Sequence, residues 1–321
     1  MSEWLECIVD HRKFDPLEVR YTCDCGNLLS VERDGILDRD SFDDRGTSRA
    51  AIDRSGVWRF REGVLNIDHV ITHPEGGTRL YERQGLLFKH EGENPTGSFK
   101  DRGMTVAVTQ AVRVKARAVA CASTGNTSAS LAAYAAQAGL PSIVFVPAGK
   151  VASGKLAQTL AYGAHVLQIR GDFDDAMRLV REACDKLGIY LVNSINPFRI
   201  EGQKTIVWEI LQDLGWQPPD WIAVPAGNLG NTSAFGKALR EALAHGWIDR
   251  MPRLASIQAR GANPFFRSFQ ESFATRHKIA AETIASAIRI GDPVSHDKAV
   301  AAIRDTNGVV EEVTDEEILD A

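Results

Sequence analysis

The most informative segment of this 321-residue chain is Asn94-Pro95-Thr96-Gly97-Ser98-Phe99-Lys100-Asp101-Arg102-Gly103. Pro95 and Gly97 indicate a turn, and Ser98 is well placed to cap a helix that follows it. Apolar side chains then recur at roughly helical spacing, at Met104, Val108, Ala111 and Val112. Lys100 is therefore predicted to lie where a loop becomes a helix.

Lys100 has the features of a reactive amine. The positive end of the predicted helix dipole lies nearby, and Arg102 adds a second cation. Both effects disfavour the ammonium form, so the amine can act as a nucleophile near neutral pH. A lysine of this kind forms a Schiff base with a carbonyl compound. The alternative interpretation is a solvated surface lysine.

Composition places the chain among ordinary globular proteins. Hydrophobic residues make up 44% and charged residues 25%, and the length predicts two domains. A net charge of −5 gives no indication of a nucleic-acid partner, and no apolar run is long enough to span a membrane. The first residues lack the basic start and apolar stretch of a signal peptide. Five cysteines argue against a disulfide scaffold, so we expect a reducing cytoplasm.

The first seventy residues differ from the rest because they are charged and lack a long periodic segment. Zinc could be held by a set of four residues, Cys7, His11, Cys23 and Cys25. The Cys23-Asp24-Cys25 spacing has one intervening residue where two or more are usual. We therefore predict no metal and a small strand pair with incidental thiols, with zinc as the alternative. Residues 34–54 are predicted to be an exposed connection.

Beyond residue 117, short apolar runs alternate with helical stretches. Buried strands are predicted at Ala118–Ala122, Ser142–Val146, His165–Ile169, Ile189–Asn193, Trp221–Pro225 and Leu254–Gln258. Helices are predicted near Thr127–Ala138, Ser153–Tyr162, Asp172–Leu187, Glu201–Leu214 and Asn231–Ala244. This alternation predicts an α/β protein with two open parallel-sheet domains, whose ligands bind at the C-terminal ends of the strands.

Two loops at predicted strand ends are suited to anions. Ser123–Ser128 and Pro225–Ser233 each join a strand to a helix through small residues, whose backbone N–H groups can point at a negative charge. Neither loop has the lysine and hydroxyl pair of a P-loop, and neither contains G-x-G-x-x-G. The sequence therefore argues against the two common nucleotide cradles.

Taken together, four segments resemble the pyridoxal-phosphate enzymes of fold type II, and among them the threonine synthases. They are the segment around Lys100, Ser123–Thr127, Asn193–Lys204 and Gly227–Asn231, which follow each other in the order and spacing of that family. The resemblance covers about residues 70 to 314.

The resemblance implies a role for each matching position. Lys100 would hold the cofactor, pyridoxal 5′-phosphate, and Asn126 would lie beside the cofactor's 3-hydroxyl group. The phosphate cup would consist of Gly227, Asn228, Leu229, Gly230 and Asn231. The substrate would be held by Ser123, Thr124, Thr127, Asn193, Ser194 and Arg199. From the chemistry of its side chain, Arg199 with Ser194 could grip a substrate phosphate.

The resemblance also implies a reaction and an organisation. The reaction would convert O-phospho-L-homoserine and water to L-threonine and phosphate, in a homodimer. Residues 1–70 would form a small irregular extension, residues 71–104 and 205–321 the large cofactor-binding domain, and residues 105–204 a small mobile domain.

Three other functions stay open at this point. A serine or threonine dehydratase of the same fold would share Lys100 and both Gly-Asn loops, although Arg199 favours a phosphorylated substrate. A non-catalytic ligand-binding protein of the same fold is the second alternative, and an α/β kinase is the weakest. In the family a hydroxyl residue near the C-terminus contacts the pyridine nitrogen, and no residue here can be given that role. Thr314 and Glu317 instead predict a capping box.

Overall fold

The computed structural model describes residues 2–148, 153–171 and 173–321. The chain divides into two compact units, Met1–Thr205 and Ile206–Ala321. Each unit contains an open parallel sheet, so the predicted α/β class with two such sheets is confirmed. The three-part division at residues 70, 104 and 204 stays a prediction.

Unit 1 begins with a small antiparallel sheet. Its strands are β1 (Glu3–Cys7), β2 (Lys13–Phe14) and β3 (Leu29–Arg33), in the order β2-β1-β3. The predicted strand pair therefore has a third member. β1 pairs with β3 along its whole length, from Glu3 opposite Arg33 to Cys7 opposite Leu29. Leu5, Leu29 and Val31 are buried beneath this sheet.

Residues 34–54 were predicted to be an exposed connection, and that prediction is wrong in part. They contain helix α1 (Arg39–Gly46), whose first turn is capped by the Asp38 carboxylate. Phe42 is buried, and its ring meets that of Phe60 edge-on at 5.1 Å. Only one side chain of this helix is buried, and the residues around it are charged. The sequence therefore shows no apolar periodicity that would predict the helix.

Four short or medium elements follow, and they lead to the parallel sheet. They are α2 (Arg61–Val64), β4 (Leu80–Arg83), β5 (Leu86–Lys89) and α3 (Lys100–Arg113). β4 and β5 form an antiparallel hairpin. Its two turn residues, Gln84 and Gly85, both have positive φ, as tight hairpin turns require.

The parallel sheet of unit 1 has four strands in the order β8-β7-β6-β9. The strands are β6 (Val119–Ala122), β7 (Ser142–Pro147), β8 (His165–Ile169) and β9 (Tyr190–Leu191). The helices that accompany these strands are α4 (Asn126–Ala138), α5 (Ser153–Ala161) and α6 (Phe173–Leu187). They are followed by α7 (Pro197–Asp213), which begins in unit 1 and ends in unit 2. All were predicted, although α7 begins four residues earlier than expected and β9 is shorter. Asp172, the predicted start of α6, lies outside the described residues.

Both faces of this sheet are covered. Val119 and Cys121 of β6 pack into one apolar cluster with α3 and α4. Ala120 and Ala122 pack into a second cluster, which includes side chains of α6. Successive side chains of a strand point to opposite faces, which explains why such a strand is apolar throughout.

Unit 2 contains a three-stranded parallel sheet in the order β10-β11-β12. Its strands are β10 (Trp221–Pro225), β11 (Arg253–Ala259) and β12 (Val309–Val313). Its helices are α8 (Gly230–Ala244), α9 (Pro264–Gln270), α10 (His296–Asp305) and α11 (Asp315–Asp320). The capping box of α11, formed by Thr314 and Glu317, is confirmed. Within the described residues, none of the helices combines the length and apolar character that crossing a bilayer requires.

Candidate active site

Lys100 is the first residue of α3, as the sequence predicted. The position before the helix is occupied by Phe99 and not by Ser98, so the predicted cap is shifted by one residue. Ser98 still contributes, because its Oγ accepts a hydrogen bond from the Lys100 N–H at 3.3 Å. The Lys100 Nζ lies 3.9 Å from the centre of the Phe99 ring.

The amine of Lys100 loses its proton much more readily than an exposed lysine does, so a substantial fraction of it is uncharged near neutral pH. Desolvation lowers its pKa to about 7, and the positive charge of Arg199 acts in the same direction. The sequence had attributed the lowered pKa to the helix dipole and to Arg102, and the attribution to Arg102 is wrong. Arg102 is buried and donates from Nε and Nη2 to the Glu91 carboxylate, at 2.7 Å each. Because the Glu91 carboxylate neutralises this guanidinium through two hydrogen bonds, Arg102 has little effect on the pKa of Lys100.

Asp101 is a structural residue of this site that the sequence reasoning missed. Its buried carboxylate accepts hydrogen bonds from the Thr96 N–H at 2.7 Å, from the Thr96 hydroxyl at 2.6 Å and from the Ser130 hydroxyl at 2.5 Å. These bonds attach the loop before Lys100 to α4. Burial raises the pKa of Asp101. The signal that could have found it is an acid directly beside a candidate reactive lysine.

The loop after β6 leads directly into α4. The Ser123 Oγ accepts from the Gly125 N–H at 3.2 Å, and the Ser128 hydroxyl donates to the Gly125 carbonyl at 2.7 Å. Thr124 lies between these positions, and Asn126 and Thr127 are the first two residues of the helix. The first N–H groups of a helix have no partner within it. This end of α4 is therefore suited to an anion such as a carboxylate.

Asn193 follows β9, and its side chain extends the parallel sheet. Its Oδ1 accepts from the Ala122 N–H at 2.9 Å, and its Nδ2 donates to the Ala122 carbonyl at 2.9 Å. The amide side chain thus replaces the backbone pairing that a longer β9 would have made. It also joins the end of β9 to the end of β6. A contact between Asn193 and substrate stays a prediction, as does that of Ser194, the residue after it.

Arg199 lies in the first turn of α7 and is 3% exposed. Its Nη1 donates to the Val192 carbonyl at 3.1 Å, and its Nε is buried without a hydrogen-bond partner. Among the described residues, no carboxylate forms an ion pair with it. Burial lowers its pKa to about 10. A buried guanidinium that lacks a counter-ion is a ready site for an anionic group.

Glycines bring α3 and α7 close together, and so bring Arg199 towards Lys100. A side chain at Gly103 would place its Cβ 2.9 Å from the Arg199 carbonyl oxygen. A Cβ at Gly202 would collide with the backbone of Arg102. Only glycine permits this approach of two helix backbones.

In unit 2 the predicted phosphate cup joins β10 to α8. Leu229 has φ 62° and ψ 13°, and it occupies the position before the helix. A left-handed conformation is unusual for leucine. The Asn228 Oδ1 accepts from the Val294 N–H at 2.7 Å, which fixes the turn. Gly230 and Asn231 begin α8, so their N–H groups lie at the positive end of its dipole.

Gly227 lies against another segment of unit 2. A Cβ at this position would lie 2.8 Å from the Ile288 Cα, closer than side chains approach a backbone. Packing alone therefore requires glycine at position 227, whether or not a ligand binds there. Within unit 1 the structure brings Arg199 close enough to act on the charge of Lys100, and it joins Asn193 to the end of β6. Within unit 2 it places the cup residues in the turn before α8. That the remaining predicted residues of unit 1 meet around Lys100 stays a prediction.

The candidate zinc ligands are only partly the predicted ones. The thiols of Cys7, Cys23 and Cys25 come together, but the fourth member of the group is Asp10. His11 points elsewhere, and its Nδ1 lies 3.0 Å from the Glu6 Oε1. His11 has φ 57°, which directs its side chain away from the thiols.

Comparisons with known proteins agree with this geometry. Residues 71–321 match the family described as pyridoxal-phosphate dependent enzyme. The threonine synthase of Methanocaldococcus jannaschii is 48% identical over 332 residues, which cover 98% of this chain and 80% of the relative. The threonine synthase of Mycobacterium leprae is 52% identical over 260 residues, which cover 78% of this chain and 70% of the relative.

Solved structures show the same fold. The crystal structure of threonine synthase from Escherichia coli superposes with a TM-score of 0.72 at 16% identity, over 98% of this chain and 78% of that one. The structure of maize serine racemase gives a TM-score of 0.62 at 24% identity, over 74% of this chain and 68% of that one. The chain belongs to the family of pyridoxal-phosphate-dependent enzymes.

Proposed function

We propose that this protein is a threonine synthase, which converts O-phospho-L-homoserine and water to L-threonine and inorganic phosphate. The similarity to curated threonine synthases over 98% of the chain supports this reaction. The observation that carries the substrate class is the buried Arg199 guanidinium, which lacks a counter-ion among the described residues.

The described residues fit the cofactor. Lys100 has a pKa lowered to about 7 and so supplies an amine that can bond to the aldehyde of pyridoxal phosphate. The turn from Gly227 to Asn231 would offer backbone N–H groups to the phosphate of the cofactor. Asn126, at the start of α4, would donate to its 3-hydroxyl group.

Arg199 would hold the substrate phosphate. Burying a charge without a partner is unfavourable by several kcal/mol, and a phosphate oxygen pair would remove that penalty. The Nε of Arg199 is free for this purpose, since Nη1 alone is committed to the Val192 carbonyl. Ser194 would form a second contact with the substrate phosphate.

Each of these residues would have its own role in the reaction. When bound, pyridoxal phosphate supplies a ring that withdraws electrons from the carbon atoms of the substrate. Lys100 moves protons at Cα and Cβ, because an amine with a pKa near 7 can both accept and donate them. Ser123, Thr124 and Thr127 hold the substrate carboxylate at the start of α4. Arg199 stabilises the phosphate as it leaves Cγ, before water adds at Cβ.

The test is a paired assay of the purified protein with pyridoxal phosphate. We expect O-phospho-L-homoserine to give inorganic phosphate and L-threonine in equal amounts. Deamination of L-threonine or L-serine to a 2-oxo acid, without threonine formation from the phosphorylated substrate, would identify a dehydratase instead. No turnover of either substrate by a protein that binds the cofactor would favour a ligand-binding role.

We also propose that the enzyme is a homodimer in the cytoplasm. The dimer rests on the resemblance to the family, and the location on the five cysteines, none of which forms a disulfide bond. Light scattering on the purified protein should give twice the chain mass of 35.1 kDa. A monomer at micromolar concentration would contradict the dimer.

A further inference from the structure

Four side chains near the N-terminus converge on one point. Cys7, Asp10, Cys23 and Cys25 each place a ligand atom so that all four atoms lie within 4.8 Å of one another. Cys7 ends β1 and Asp10 lies in the turn that follows, while Cys23 and Cys25 lie in the turn before β3. The family match begins at residue 71, so it assigns no role to these residues.

The separations have the size that a tetrahedral zinc site requires. The Cys7 and Cys25 sulfurs are 3.6 Å apart, and the Cys23 sulfur lies 3.4 Å from the Asp10 Oδ2. Zn–S bonds of about 2.3 Å at tetrahedral angles separate two sulfurs by about 3.8 Å. With a Zn–O bond of about 2.0 Å, sulfur and oxygen are about 3.5 Å apart. These two pairs of ligand atoms are therefore already at coordinating separations, and the remaining pairs lie within 4.8 Å.

The backbone holds each pair of ligands in a closed turn. The His11 N–H donates to the Cys7 carbonyl at 3.2 Å, and the Gly26 N–H donates to the Cys23 carbonyl at 2.8 Å. Both donor residues have positive φ, 57° at His11 and 84° at Gly26. The reversal at His11 turns its imidazole outward and leaves Asp10 facing the thiols.

Neighbouring side chains orient two of the four ligands. Arg12 donates from Nε to the Asp10 Oδ2 at 2.8 Å and from its backbone N–H to the Asp10 Oδ1 at 3.1 Å. The Asn27 Nδ2 donates to the Cys25 sulfur at 3.2 Å. Hydrogen bonds of this kind fix ligand orientation in metal sites. Each carboxylate oxygen keeps a second lone pair for a metal.

We propose that Cys7, Asp10, Cys23 and Cys25 bind one structural zinc ion. Three thiolates and one carboxylate in tetrahedral arrangement select zinc among the divalent metals, because sulfur-rich tetrahedral sites favour it. All four positions are taken by protein atoms, which is the form of a structural and not a catalytic site.

The ion would stabilise a sheet that has little apolar core of its own. Leu5, Leu29 and Val31 supply most of that core, and small domains of this kind commonly depend on a metal. The same segment supports the active site, because the Tyr21 hydroxyl accepts from the Leu191 N–H at 2.7 Å. Arg33 donates to the Glu201 carboxylate of α7 at 2.7 Å. Zinc would therefore stabilise β9, which precedes Arg199, and α7, which contains it.

The first test measures zinc in the full chain by mass spectrometry after purification under reducing conditions. We expect one zinc per chain in the wild type and in the controls His11→Ala and Cys184→Ser. Asp10→Ala and Cys25→Ser should lower zinc affinity by more than about 100-fold. Zinc loss in His11→Ala equal to that in Asp10→Ala, or no zinc in wild type supplied with Zn²⁺, would overturn the proposal.

The second test remains decisive if the alanine variant folds poorly. Asp10→Cys offers four thiolates and should hold zinc at least as tightly as the wild type. Replacement of zinc by Co²⁺ should give the strong visible absorption of a tetrahedral ion, with sulfur-to-cobalt charge transfer in the near ultraviolet. A weak octahedral spectrum, or failure of Asp10→Cys to bind metal while its pyridoxal-phosphate absorbance is normal, would refute the site.

Discussion

Two regions of the molecule are suited to anions, and they are built differently. In unit 1 the region around Lys100 relies on buried charged side chains, with Arg199 lacking a counter-ion among the described residues. In unit 2 the turn at Gly227–Asn231 relies on backbone N–H groups at the start of α8 and on a left-handed Leu229. In the first region a buried positive charge has no counter-ion among the described residues, which is unfavourable. The second region is held by packing and by backbone geometry.

This difference predicts separable roles. Charged side chains can move protons and respond to pH, so changes in unit 1 should affect turnover and substrate choice. Backbone N–H groups carry no titratable proton, so changes in the cup should affect cofactor affinity alone. The predictions below test this separation, beginning with the largest expected effect.

Lys100→Ala should lower turnover by at least about 1000-fold, because no other group replaces the amine that moves the protons. Turnover of O-phospho-L-homoserine with added pyridoxal phosphate provides the measurement. Lys115→Ala is a matched control, since Lys115 is exposed just beyond the end of the same helix. Borohydride should attach the cofactor of the wild type to Lys100, and peptide mapping that finds it on another lysine would contradict the assignment.

Arg199→Leu should reduce kcat/KM for the phosphorylated substrate by tens- to thousands-fold. Loss of a charge-assisted pair in a buried site costs on the order of 2–5 kcal/mol. The cofactor affinity should be unchanged, since the cup belongs to the other unit. Arg199→Lys, which keeps a cation, should retain part of the activity.

The unphosphorylated substrates provide the control for that experiment. Any deamination of L-threonine should change little in Arg199→Leu, because that substrate has no phosphate to lose contact with. Equal losses on both kinds of substrate would mean that Arg199 supports the fold of the α7 start and does not bind phosphate.

Gly227→Ala should raise the dissociation constant of pyridoxal phosphate by about tenfold. The added Cβ would meet the Ile288 Cα at 2.8 Å and displace the turn, at a cost of about 1–3 kcal/mol. Gly246→Ala is the control, because Gly246 has φ 69° with open space around it. That variant should lose stability while its cofactor affinity stays unchanged. Equal affinity in Gly227→Ala and wild type would place the cup elsewhere.

The smallest effect is a shift in a titration midpoint. In cofactor-free enzyme the reactivity of Lys100 toward an amine reagent should rise through pH 7, since the free amine forms as the pH passes its lowered pKa of about 7. Arg199→Leu should move this midpoint upward, because the cation that disfavours the ammonium form is removed. The shift should be partial, since desolvation is the larger cause. A midpoint unchanged by Arg199→Leu would mean that burial alone sets the pKa.

Much of the fold could be predicted because it depends on local patterns. The His165–Ile169 and Trp221–Pro225 strands were predicted with the bounds that the structure has, since alternating strands and helices are marked by apolar runs and glycines. The turns that lead into α4 and α8 were predicted for the same reason, and anion binding at these turns stays a prediction. The reaction was inferred because four segments together, in the same order, resemble those of one family. None of the four segments alone would have been enough for this inference.

Two features of the candidate active site depended on tertiary structure. Arg102 is near Lys100 in the sequence, but its pairing with Glu91 leaves Arg199 as the cation that acts on the amine. Asn193 completes the sheet with its side chain, which no strand pattern reveals.

The ligand atoms of the N-terminal cluster also depended on tertiary structure. Sequence spacing identified three of its members, Cys7, Cys23 and Cys25, but chose His11 where the structure has Asp10. The choice between two neighbouring residues depends on the sign of one backbone angle, φ 57° at His11, and on the Arg12 contact that holds the carboxylate. Local sequence determined which elements form and which residue types are available, whereas packing decided where their side chains point, because direction depends on partners far away in the chain.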